Sequence, residues 1–134
     1  MTVLAITAVD VAMIEEWEAF SGPAAEAITA GQYVRLNTTS GTVELGKATT
    51  SGESRNGGIA LVSAAINSTV KAVSRGLISV GSALGDLSYD DDVYLSDTDG
   101  TLADTAGTVS KVIGRVWPRF VNGSTADKVL RIEL

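Results

Sequence analysis

From Ala30 to the C-terminus, apolar residues alternate with polar ones, and Gly, Ser, Thr, Asn or Asp interrupts them every few positions. A period of two sends successive side chains to opposite faces of an extended strand, which a helix of 3.6 residues per turn does not do. That patterning confines most of the chain to short β-strands joined by turns. Gln32-Tyr33-Val34-Arg35-Leu36 and Thr42-Val43-Glu44-Leu45-Gly46 flank a loop at 37–41 and read as a hairpin. Residues 49–58 are loop-like, and 59–65 read as a buried apolar strand. Residues 69–80 are β-branched and form one long strand, or two short ones broken near Arg75-Gly76. After a connection at 81–92, Val93-Tyr94-Leu95-Ser96 and Thr101-Leu102-Ala103 flank Asp97-Thr98-Asp99-Gly100 as a second hairpin. Residues 109–121 make a long strand, Asn122-Gly123 opens a turn, and 128–134 close the chain as a final strand. Seven or eight short antiparallel strands at this spacing predict a small β-barrel or sandwich.

The first 29 residues read differently. Thr7-x-x-Asp10 has capping-box form, and Met13, Ile14, Trp17 and Phe20 recur at helical spacing between Glu15, Glu16 and Glu18. This predicts a short amphipathic helix closed by Ser21-Gly22-Pro23, on an N-terminal arm (1–29) preceding a barrel domain (30–134). Helices this short are marginal alone, so Met13, Trp17 and Phe20 are candidate contacts to the barrel or to a neighbouring subunit. Charge divides the chain in the same way. Residues 1–34 hold five carboxylates and no Lys or Arg, whereas 105–134 hold five basic residues and two acidic ones, within a net charge of −6. Oppositely charged ends can orient contacts between subunits. The apolar stretch at 1–9 has no cationic segment before it and stops at Asp10, so no signal peptide is expected. No apolar run approaches the ~20 residues of a membrane span, and no membrane partner is expected.

Cysteine and histidine are both absent. This removes disulfides, thiolate metal sites, the commonest general base and the commonest transition-metal ligand together. The remaining catalytic templates fail on inspection. Ser68-Thr69-Val70-Lys71 matches S-x-x-K but sits in β-patterned sequence, where Lys is not one helical turn beyond Ser. Asp97-Thr98-Asp99-Gly100 copies the middle of an EF-hand loop, but the first and twelfth ligand positions would be Leu95 and Ala106. No glycine-rich phosphate loop is present, and nothing fixes the spacing of any carboxylate pair for glycoside hydrolysis. The expectation is a protein with no catalytic residues, no cofactor and no metal. The acidic balance argues against a nucleic-acid partner.

The most informative stretch runs from Lys111 to Phe120. On a regular strand, Val112, Gly114, Val116, Pro118 and Phe120 share one face, which suits a core. Lys111, Ile113, Arg115, Trp117 and Arg119 share the other, a basic face with an aromatic set into it. Trp and Arg dominate interface energetics, which makes Arg115, Trp117 and Arg119 candidate contact residues.

Ala30-Gly31-Gln32-Tyr33-Val34-Arg35-Leu36 leads to Gly58-Ile59-Ala60-Leu61, Val80-Gly81 and Val93-Tyr94-Leu95-Ser96-Asp97-Thr98-Asp99-Gly100-Thr101-Leu102. Val112-Ile113-Gly114-Arg115-Val116 and a closing Val129-Leu130-Arg131-Ile132-Glu133-Leu134 follow. Over roughly residues 29–134 this order resembles the capsid decoration (cement) and head-fibre-base proteins of tailed bacteriophages. The resemblance implies a β-barrel or β-tulip and a homotrimer whose partner is the major capsid protein. It also implies a place on the outer surface of the virion head, after synthesis in the bacterial host cytoplasm. The shared pattern does not include the N-terminal segment. A tail, fibre-base or head–tail joining protein would carry a similar sequence. A carbohydrate-binding β-module is the rival from another class, and the chain's 5% aromatic content argues against it.

Overall fold

The computed structural model describes residues 3–121 and 125–134. Among the described residues nine strands form one antiparallel sheet: β1 (Val11–Pro23), β2 (Tyr33–Leu36), β3 (Val43–Leu45), β4 (Gly57–Ala60), β5 (Thr69–Val80), β6 (Asp92–Leu95), β7 (Leu102–Ala103), β8 (Val112–Val121) and β9 (Thr125–Glu133). Their order is β3-β2-β4-β5-β9-β8-β6-β7, with β1 lying along β5. The sheet curls into a barrel-like half-shell, the mainly β architecture expected from the alternation. Both expected hairpins, β2–β3 and β6–β7, form in the expected register region.

The curl joins the two ends of the sheet. The amide of Gly100 donates to the carbonyl of Gly46 (2.8 Å), and that of Tyr33 to Gly100 (3.0 Å). Ala48 donates to Ser96 (2.8 Å) and Val109 to Ala48 (2.7 Å). Backbone groups that would otherwise face solvent at two sheet edges thus satisfy one another. Inside lies the main core, with Tyr33, Ile78, Leu95, Ile113, Leu130 and Ile132 all fully buried. Val34, Val43, Ala60, Val70 and Ala72 point the other way and are covered by Ala24, Ile28 and Phe20 in a second apolar layer.

Three expectations are corrected. The predicted helix is not formed: among the described residues, helical backbone near the N-terminus is confined to a 3-10 turn at Ala8–Asp10, and Val11–Pro23 is strand β1. It pairs with β5 from Val11↔Val80 to Pro23↔Thr69. The reason lies in its bulges. The register skips Ile14 and Trp17, so extra residues on β1 stretch the apolar spacing from two towards three and imitate a helix. Pairing along β5 gives the backbone partners that an isolated three-turn helix would have to find within itself.

The faces of β8 are also rearranged. Tyr94 pairs with Val112 and Val93 with Gly114, leaving Ile113 as the bulged residue. Ile113 therefore turns into the core beside Val116, while Val112 is 39% exposed, which inverts the expected assignment of both. A side chain at Gly114 would collide with the carbonyl of Arg131, so glycine lets β9 approach at the bulge. Finally, the strand expected at 59–65 is β4 (Gly57–Ala60), and β5 runs unbroken through Gly76. The turn expected at Asn122-Gly123 lies outside the described residues.

Candidate contact face

The outer surface of β1, β5, β9 and β8 gathers three of the six expected contact residues into one cluster. Arg115 and Arg131 sit directly opposite each other on β8 and β9, with Trp117 one pleat away opposite Val129. The Arg131 guanidinium lies 4.5 Å from the centre of the Trp117 ring and 5.3 Å from that of Trp17. Arg115 stands 5.6 Å from Trp117. The result is a ladder, Trp17–Arg131–Trp117–Arg115, of cations over aromatic faces. The bulge at Trp17 belongs to this geometry, since bulges re-aim side chains.

Carboxylates fix the ladder in place. Glu133 accepts from Arg115 Nη2 (2.9 Å) and pairs with Arg131 Nε (2.7 Å), so one carboxylate bridges two like charges. Arg115 Nη1 donates to Asp90 (2.9 Å). The Trp17 indole N–H donates to Glu15 Oε1 (2.8 Å). The hydrogen bond from Arg115 holds the Glu133 carboxyl below its ordinary range, against a smaller opposing effect of burial, and the same contact raises the Arg115 pKa. Shape is thereby set before any partner arrives, which lowers the ordering cost of binding.

The structure brings Trp17, Arg115 and Trp117 together and separates the other three candidates. Met13 lies opposite Ile78 further along β1 and is 36% exposed. Phe20 turns into the second apolar layer and also lines a cleft of about 330 Å3 with Glu18, Leu36, Asn56 and Lys111. Arg119 stands exposed on β8 opposite Asp127, beyond the ladder. Sequence reasoning missed Arg131, Glu133 and Glu15. The signal for the first two was available, because they alternate with the core residues Leu130 and Ile132 on the final strand.

The acidic run is engaged locally. Asp91 accepts the amide of Ser88 (2.8 Å), Asp97 accepts the amide and hydroxyl of Thr108 (both 2.8 Å), and Asp99 pairs with Lys47 (3.8 Å). Among the described residues no three His, Cys, Asp or Glu side chains group as a metal site. Lys71 of the S-x-x-K stretch is paired with Glu16 (2.6 Å). Among the described residues no helix is long and apolar enough to cross a membrane. No family model, curated protein or solved structure matches the chain.

Proposed function

We propose that this chain is a non-enzymatic decoration (cement) protein of a tailed-bacteriophage head, a homotrimer bound to the major capsid protein on the outside of the virion. The observation that carries this reading is the Trp17–Arg131–Trp117–Arg115 ladder, a pre-ordered contact face on a curled β-scaffold. The ordered resemblance along residues 29–134 adds the kind of assembly. A capsid repeats one site many times, so modest individual contacts gain from multivalency. A ligand of the expanded shell stabilises that shell by mass action and needs no chemistry of its own.

The test is reconstitution. Heads of the phage that encodes the chain, made without it, should take up the purified protein and become more resistant to heat and osmotic shock. Failure of such heads to bind it at micromolar concentration would overturn the proposal. Chelator should leave the melting temperature of the free protein unchanged. A fall of many degrees with EDTA would instead assign a cation to the Asp90, Asp97 and Asp99 region.

A further inference from the structure

The contact face reads as basic along β8, yet its assembled charge has the opposite sign. The strand registers place Glu15, Leu77, Arg131, Arg115 and Asp92 in one row across β1, β5, β9, β8 and β6. Glu18, Arg75 and Glu133 form the next row. Residues opposite one another on antiparallel strands share a face of the sheet. The two central guanidiniums are engaged within the molecule, Arg115 by Asp90 and Glu133 and Arg131 by Glu133. Carboxylates occupy both flanks, Glu15 and Glu18 on β1 and Asp90 and Asp92 at β6, all of them exposed. Among the described residues neither Glu18 nor Asp92 forms an ion pair. With Arg75 included, five carboxylates stand against three guanidiniums. Between the flanks, Trp17 remains 43% exposed.

We infer that this face docks a cationic protein surface, whose Lys or Arg side chains meet the carboxylate flanks while the tryptophans supply apolar contact. An anionic partner would meet Glu15, Glu18, Asp90 and Asp92 around arginines that already have counter-ions, so nucleic acid and acidic lipid are disfavoured. A second copy of the same face meets the same repulsion. The inference gives the partner's chemistry at the face used in the proposed function, and rests on that reading only for the partner's identity.

Trp17 and Trp117 are the chain's two tryptophans, so tryptophan fluorescence, excited selectively over the three tyrosines, reports on this face alone. The full chain is titrated with an alternating Arg-Gly decapeptide and, separately, with oligothymidine and with phosphatidylserine vesicles. The peptide should change the emission, and its affinity should fall about tenfold or more between ~0.02 M and ~0.3 M salt. The double variant Glu18→Lys/Asp92→Lys should weaken it by about fivefold or more, whereas the equally charged Glu26→Lys/Asp99→Lys should change it less than about twofold. An emission response to oligothymidine or vesicles, none to the peptide, or equal losses in both double variants would overturn the inference. So would an oligomer that dissociates in Glu18→Lys/Asp92→Lys, which would make the face a self-contact. Heads that still take up a chain unresponsive to the peptide would remove this inference and leave the capsid reading. A responsive chain that no head takes up would remove the capsid reading alone.

Discussion

Arg131 is flanked by two indole rings and shares a carboxylate with Arg115, so replacing it disturbs three partners together. Each cation–π contact at such a half-exposed site contributes about 0.5–1 kcal/mol, so Arg131→Ala should cost about 1–2 kcal/mol in urea denaturation. Arg131→Lys should recover less than half of that, because an ammonium cannot stack between two rings as a planar guanidinium does. Glu133 supplies the pH dependence. Its folded pKa is depressed, so its contribution is present above the ordinary glutamate pKa and is lost as pH falls through the lower folded value. Acid titration of wild type against Glu133→Gln should show the two stabilities converging in that window. At the alkaline end the sign is reversed. Burial pushes the Tyr33 phenol up to about 12, with Arg35 a weaker opposing influence, and its hydroxyl donates to the Ser54 carbonyl (2.8 Å). Stability should therefore decline from the ordinary tyrosine pKa towards 12, and Tyr33→Phe should lose that slope in melts taken across the range.

At the level of elements, alternation was a faithful guide wherever a strand paired regularly. The hairpins β2–β3 and β6–β7 and the final β9 were legible because their side chains keep a period of two. The long β5 was legible from its β-branched residues instead, since Ala72, Val73 and Ser74 are buried in succession. Bulges broke the guide on β1 and β8, and a further irregularity skips Ser74 on β5. On β1 they spread Met13, Trp17 and Phe20 to helical spacing, and on β8 one inverted Val112 and Ile113. A bulge is decided by the partner strand, which local sequence does not contain, and the glycine at position 114 was its one visible trace. The candidate site suffered in the same way. Trp117 and Arg115 were readable on one strand, but the ladder needs Arg131 and Trp17 from two others. The position of β1 also changes what its removal should do. An N-terminal arm outside the barrel could be deleted and leave a folded domain. Deleting residues 1–23 removes a strand that pairs with the whole of β5, exposing a long edge of unpaired backbone groups and uncovering part of the second apolar layer at Phe20. The truncated chain should be aggregated or largely unfolded by size exclusion and circular dichroism. Trp17→Ala should stay folded, with a loss near that of Arg131→Ala. A monomeric, cooperatively melting truncation would show that β1 is dispensable to the fold.

On the scale of the whole molecule, stability depends on closing the curl. The strands that meet at the seam are far apart in sequence, so their hydrogen bonds form only once the intervening sheet is in place. That makes the seam a late and cooperative contact, and Gly100 is its most exacting residue. Gly100 gives its amide to Gly46 and accepts from Tyr33 while its φ is +69°, a left-handed conformation that L side chains adopt at a cost. An added Cβ would also stand 2.9 Å from Leu45 Cδ2, the end of a side chain that can give way. The backbone therefore carries most of the penalty, and Gly100→Ala should cost about 1–2 kcal/mol. For a chain of this length that is a fall in melting temperature on the order of 3–8 °C. The form of the loss is as informative as its size. If the seam belongs to the single folding unit, the variant should melt in one transition, by circular dichroism at 218 nm and by tryptophan fluorescence alike. The fluorescence arises on the opposite part of the sheet from the substitution, at Trp17 and Trp117, so a shift there would report coupling through the whole curl. Two separated transitions, with the tryptophan signal unmoved from wild type, would mean that the β2–β3 and β6–β7 ends open independently of the β1-β5-β9-β8 wall. The barrel would then be a hinged sheet, and the contact face would stand on the wall alone.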